Sequence, residues 1–231
     1  DPLWSRGLGD VYKRQEEWLA ARRDLLVKEK ELTRARDRLN EARRALPWEE
    51  VTKDYIFDAP SGPKSLQELF GDCSQLIVYH FMLAPDWEEG CVGCSFFADH
   101  VDGALIHLKH GDAGFVAVSR APLEKIESYK NRMGWKFPWV SAAGTDFNYD
   151  YQASFRDEDM ASGEITYNYR DMAPYGDLKD LHGISVFARG EDGKIYHTYS
   201  TYARGAEQTL GTLMLLLSLI HISEPTRPER I

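Results

Sequence analysis

Only three cysteines occur in 231 residues, and their spacing is not that of a disulfide framework. A small stapled secreted fold is therefore excluded, and a reducing, cytoplasmic setting is expected. Basic charge is also scarce: 28 Lys and Arg stand against 37 Asp and Glu, a formal net charge of -9. That argues against nucleic acid as a partner, which needs a basic face. No second C-x-x-C and no His pair at knuckle spacing accompanies Cys91 and Cys94, so neither a metal nor a cofactor is expected. Internal repeats and low-complexity tracts are missing as well. The longest apolar tail, Leu213 to Ile222, has about half the length a spanning helix needs, so no membrane association is expected. No signal peptide is visible. What is present, 43% hydrophobic residues over this length, suffices for one cored domain with an appendage.

Both ends read as foreign to the protein. Ser5 to Gln15, SRGLGDVYKRQ, and Leu217 to Arg227, LSLIHISEPTR, back-translate into one DNA sequence and its reverse complement. They resemble translated sequencing-adapter sequence, so residues 1–15 and 217–231 are set aside as artefactual flanks. The remainder carries 23 basic and 33 acidic residues and is expected to be truncated at its C-terminus.

Glu16 to Leu46 has no Gly or Pro and places Trp18, Leu25, Leu32, Leu39 and Leu46 seven apart, with Ala21, Ala35 and Ala42 beside them. This predicts a helical arm over 16–46, stopped by Pro47, either pairing as a homodimer or lying on its own domain. Residues 47–216 form the domain. Tyr55 to Phe57 is a short strand before the turn-rich Asp58 to Pro63, and Ser65 to Glu68 has capping-box spacing for a helix ending at Gly71. Leu76 to Met82 lacks period-two alternation, as a strand covered on both faces does. After Cys91-Val92-Gly93-Cys94, apolar residues recur at helical spacing from Phe97 to Leu108, and Phe115 to Val118 is a second buried strand. Strand, helix, strand in this order predicts a parallel βαβ unit. A helix over 122–133 with Gly134 as its stop, a short extended piece over 137–140, a long irregular excursion over 144–180, a hairpin around Gly190 to Gly193 and a final helix over 206–216 complete the chain.

Tyr55-x-Phe57-Asp58, Gly62-x-Lys64-Ser65-Leu66-x-Glu68-Leu69 and Leu76 to Phe81 resemble the opening of the alkyl hydroperoxide reductase and thiol-specific antioxidant branch of thioredoxin-like proteins; Phe137 to Ser141 resembles a later segment of it. His80-Phe81-Met82, Asp86 to Cys91, Ser119 to Pro122, Met133-Gly134-Trp135 and Asp146 to Asp150 are similar to a bacterial thioredoxin-like family known as a domain of unknown function. The resemblance implies an α/β fold, a thioredoxin-like mixed sheet flanked by helices. Two departures stand out. The Pro and Thr that precede a peroxidatic cysteine in peroxiredoxins are missing before Cys91, and Leu181-His182-Gly183 stands where thioredoxins carry a cis-proline.

The chemistry centres on Cys91 and Cys94. A cysteine opening a helix meets unpaired amides that favour the thiolate, and a second one a turn along is placed to resolve a mixed disulfide. The expected activity is thiol-disulfide exchange with a disulfide-containing protein or small thiol substrate. The alternatives are a thiol peroxidase of the peroxiredoxin-like type and a non-catalytic binding module; the pair itself reads alternatively as two inert cysteines or half a metal site. Asp86, Glu88 and Glu89 would raise the Cys91 pKa if they point inward. Supporting candidates are Arg120, at the carboxyl end of a parallel strand; Trp87, on the approach; and His80, inside the strand. Each has a structural counterpart: Arg120 pairs with an acid, Trp87 packs, and His80 is a satisfied core histidine. His100 and His107 read as surface or packed, and Cys73 as a bystander.

Overall fold

A computed structural model describes residues 15–216, so the two flanks at 1–15 and 217–231 lie outside it but for Gln15. The chain divides into residues 1–47 and 48–231. In the first, a 30-residue helix, α1 (Gln15–Arg44), has acidic residues in its first turn and Arg43 and Arg44 in its last, both complementing the helix dipole, and buries none of its residues.

In the second, many of the local signals act as expected. Strand β1 (Glu49–Glu50) is followed by a ribbon of β2 (Ile56–Phe57) and β3 (Lys64–Ser65). Ser65 caps helix α2 (Leu66–Leu69) through a reciprocal capping box with Glu68, which satisfies amides that the helix start would leave unpaired. Strand β4 (Gln75–His80) is buried at Leu76 on one face and Tyr79 on the other. The helix expected in one piece after the cysteines is broken: α3 (Val92–Ala98), a 3-10 turn (Asp102–Ala104) and α4 (Leu105–His110). At the break the Asp102 carboxylate accepts from the backbone N–H groups of Lys136 and Phe137, and Gly103, a poor helix former, follows it. Next come β5 (Ala113–Ser119), α5 (Leu123–Met133) and β6 (Trp139–Ser141); Gly134 ends α5 in the left-handed conformation that a residue with Cβ resists.

The irregular excursion is more ordered than its composition suggests. It holds α6 (Phe147–Asp150), α7 (Asp157–Ser162) and a ribbon of β7 (Ile165–Tyr167) and β8 (Arg170–Met172). Buried Phe147, Phe155, Ile165 and Tyr167 supply the apolar area that holds it down. The hairpin is β9 (Gly183–Arg189) and β10 (Ile195–Tyr202). The final helix begins late, as α8 (Gly211–Leu216) after a 3-10 stretch over Ala203–Thr209.

The six-stranded sheet has the order β1-β10-β9-β4-β5-β6. Strands β4, β5 and β6 are parallel, while β9 runs antiparallel to β4 and pairs with β10. A parallel βαβ unit followed by an antiparallel hairpin on the other side of the first strand is the thioredoxin-like mixed sheet. Successive side chains of β4 enter different cores. Tyr79 joins Phe81, Phe97, Trp135 and Trp139 on the face covered by α3 and α5, while Val78 joins Phe57, Phe70 and Phe147 on the other. No described helix is long and apolar enough to cross a membrane.

Candidate active site

Both cysteines sit just beyond the carboxyl end of β4. The chain leaves the sheet through the buried residues Phe81 to Ala84, and the Cys91 amide returns to donate to the Met82 carbonyl at 3.0 Å, closing the loop. Gly90 is required at this closure. A Cβ there would lie 2.6 Å from Phe81 Cε1 and 2.9 Å from Tyr129 Cε1, inside any tolerable contact. Cys91 is then the N-cap of α3, with non-helical backbone and a half-buried side chain, and Cys94 lies one turn on, fully buried.

All three cysteines are free thiols. Cys91 makes no short capping hydrogen bond. Its pKa is nonetheless lowered to about 6, first because the Cys94 thiol donates to it and then because the backbone N–H groups of Gly93 and Cys94 face its sulfur; these effects outweigh the partial burial that opposes them. Cys94 is pushed the other way, chiefly by burial and then by that same bond to Cys91. Two donors restrain its rise: the Tyr79 hydroxyl, and the Met82 amide at 3.5 Å. One thiol is thus set to ionise near neutrality and its neighbour to hold its proton, the division of labour that dithiol exchange requires.

The surrounding groups answer the questions left by the sequence. Glu88 and Glu89 point outward: Glu89 pairs with Arg132 at 2.8 Å, and Glu88 is highly exposed, 3.8 Å from Lys125. Neither these two nor Asp86 contributes to the Cys91 shift. The Lys125 ammonium also donates to the carbonyls of Pro85 and Trp87, tying the approach loop to α5. Trp87 is half-buried and packs against the core rather than standing free. A cleft of about 380 Å³ lies along α5, lined by Glu88, Pro122, Lys125, Tyr129 and Arg132, and contains neither cysteine.

The two other supporting candidates are engaged elsewhere. Arg120 forks onto both oxygens of Asp180 at 2.6 and 2.9 Å and reaches the Tyr149 hydroxyl at 3.1 Å, the acid pairing that was its structural alternative. His80 faces the opposite side of the sheet from Tyr79, bonded to Asn148 at 3.0 Å and Ser185 at 2.9 Å and stacked on Phe147. Burial lowers its pKa to about 4, so it is neutral near pH 7. His100 bonds the Phe96 carbonyl and Thr212, and among the described residues no cluster of His, Cys, Asp or Glu could hold a metal. Cys73 is buried.

Sequence reasoning missed Tyr79, although the signal was available. Period two puts Tyr79, not His80, on the face of β4 that the following helix covers. It also missed Gly90, whose role depends on Phe81 and Tyr129 arriving from two other elements.

Comparison with known proteins adds the following. The family described as "Bacterial protein of unknown function (DUF899)" matches residues 10–218. No curated protein matches the chain. Similar solved structures include peroxidoxin BcpB from Mycobacterium tuberculosis, at 16% identity and a TM-score of 0.47, covering 74% of this chain and 97% of that one. A peroxiredoxin Q structure from Xanthomonas campestris is similar at 14% identity and a TM-score of 0.47, covering 75% and 98%. The bacterioferritin comigratory protein of Xanthomonas campestris follows at 13% and 0.44, covering 69% and 90%.

Proposed function

We propose that this chain, which belongs to the DUF899 family of bacterial proteins, is a thiol-disulfide oxidoreductase with Cys91 as nucleophile and Cys94 as resolving thiol. The observation that carries the reading is the opposed tuning of the pair, Cys91 lowered to about 6 and Cys94 raised, at the start of the helix that follows the central strand. The Cys91 thiolate attacks one sulfur of a substrate disulfide, forming a mixed disulfide and releasing the other sulfur as a thiolate. Cys94 then gives up its proton to that leaving thiolate and attacks the Cys91 sulfur. The intramolecular disulfide forms, the second substrate thiol departs, and the substrate has gained the two electrons that the dithiol lost. The donors to Cys94, Tyr79 and the Met82 amide, stabilise the charge it carries as it attacks. The substrate is a protein disulfide or a small-molecule disulfide, because half-buried Cys91 is the sulfur within reach of one.

Insulin reduction with a chemical reductant tests the reading. Turnover is expected to vanish in Cys91→Ser, and Cys94→Ser is expected to accumulate mixed disulfides on Cys91. Equal, full activity in both variants would overturn the assignment. Faster oxidation of Cys91 by stoichiometric hydrogen peroxide than by a disulfide would favour peroxidase chemistry instead.

A further inference from the structure

Helix α1 carries a seam that the dithiol chemistry does not use. Leu25, Leu32 and Leu39 repeat every seven residues and are 50%, 62% and 51% exposed. The positions three residues after Leu25, Leu32 and Leu39 are Lys28, Ala35 and Ala42, and Ala21 precedes them in the same row. The seam is therefore large on one edge and small on the other. Such a surface packs on itself when the second helix is reversed, so that Leu25 and Leu32 each meet an alanine.

We propose that α1 pairs with the same helix of a second copy of this chain, antiparallel, with Leu32 on the partner's Ala35 and Leu25 on the partner's Ala42. The charges select that register. It brings Glu31 against the partner's Arg38 and Glu29 against the partner's Arg36, and by symmetry each pair occurs twice. Leu39 then lies on the stem of the partner's Lys28, whose ammonium extends past the seam to water. Sliding the helices by one heptad in one sense sets Glu29 against the partner's Glu29 and Glu31 against the partner's Glu31. Sliding them the other way opposes Arg36 to the partner's Arg36 and Arg38 to the partner's Arg38. Parallel pairing stacks Lys28 on the partner's Lys28, opposes Asp24 to the partner's Glu29, and leaves alanine facing alanine. One like-charge contact survives in the chosen register, Arg22 with the partner's Arg43. Arg22 is already paired with Glu29 at 2.8 Å and Arg43 with Asn40 at 2.9 Å within their own helix. Self-complementarity of this kind is what a second copy, rather than an unrelated helix, requires.

Sedimentation equilibrium of the full chain over a concentration series tests the pairing. A dimer is expected, and Leu32→Glu is expected to leave a monomer. Glu31→Arg should weaken association roughly tenfold or more, because attraction becomes repulsion twice per dimer. Adding Arg38→Glu to that change should restore the dimer, and since the double variant keeps the helix composition, loss of folding is separable from loss of pairing. A monomer at every concentration would overturn the proposal, as would a dimer indifferent to Leu32→Glu. Parallel pairing would set Glu31 against the partner's Arg36, so rescue of Glu31→Arg by Arg36→Glu instead of Arg38→Glu would establish a parallel pair and overturn the proposal too.

Discussion

The hydrogen bond from the Cys94 thiol to Cys91 lowers the pKa of the outer sulfur and raises that of the inner one. Burial is the larger cause of the rise at Cys94 and widens the difference, so the outer sulfur ionises at the lower pH. The acidic residues of the approach loop leave this arrangement alone, because Glu89 is paired with Arg132 and Glu88 is turned to solvent near Lys125.

The rate of Cys91 alkylation by iodoacetamide should follow its thiolate. With the pKa lowered to about 6, the thiolate is present above that pH and is lost as pH falls through it. Cys94→Ala removes the first cause of the lowering, so the midpoint should rise toward the ordinary value of about 8.5. Alkylation at pH 7 should slow roughly tenfold or more as the thiolate fraction falls. An unchanged midpoint would show that the helix amides alone set it.

Stability should depend on pH through His80. In the folded state its pKa falls from 6.5 to about 4 by burial. The unfolded chain thus binds a proton between those values and the folded one does not. The contribution is fully present above pH 6.5, declines as pH falls toward 4, and is constant below; its span is about 3 kcal/mol. Urea unfolding at pH 7 and pH 4, compared with His80→Phe, measures it, and an identical pH dependence in both proteins would contradict the assignment.

Breaking the Arg120–Asp180 pair should be costly. Its side chains are 15% and 5% exposed, and Asp180 also accepts from the Ser154 hydroxyl at 2.5 Å. Asp180→Ala leaves a guanidinium with little water, at a cost of about 3 kcal/mol or more. Replacing both partners, Arg120→Met with Asp180→Leu, should cost less than Asp180→Ala alone. Denaturant midpoints of the three proteins decide the matter.

Gly90→Ala should destabilise by about 1–3 kcal/mol, since its methyl would displace Phe81 or Tyr129. The same displacement moves Cys91, so alkylation at pH 7 should slow as well. Wild-type stability and reactivity in this variant would mean that the two rings yield freely.

Much of the fold, and the place of the candidate site in it, was legible from local pattern. The uninterrupted apolar run became β4, the capping box at Ser65 and Glu68 started α2, and Gly134 ended α5. The C-x-x-C fell at the strand-to-helix junction, where such a pair has chemical meaning. The helix break at Asp102–Ala104 was not read from the sequence, because the apolar spacing continues across it, and the amides of Lys136 and Phe137 that Asp102 meets there come from beyond α5. Order in the excursion over 144–180 was hidden in the same way, since its polar composition conceals which few aromatic residues are inward.

By itself, then, the sequence determined the central strands and the hairpin, several helix starts and stops, and that two thiols stand one turn apart at a helix start. These follow from propensity, capping and periodicity over a few neighbouring residues. The tertiary structure alone decided which groups surround those thiols. It gave Tyr79 to Cys94, sent His80 to Ser185 across 105 residues of sequence, committed Arg120 to Asp180 across 60, and turned the loop acids outward. Such pairings rest on which face of the sheet a side chain enters and on what long-range packing brings to meet it.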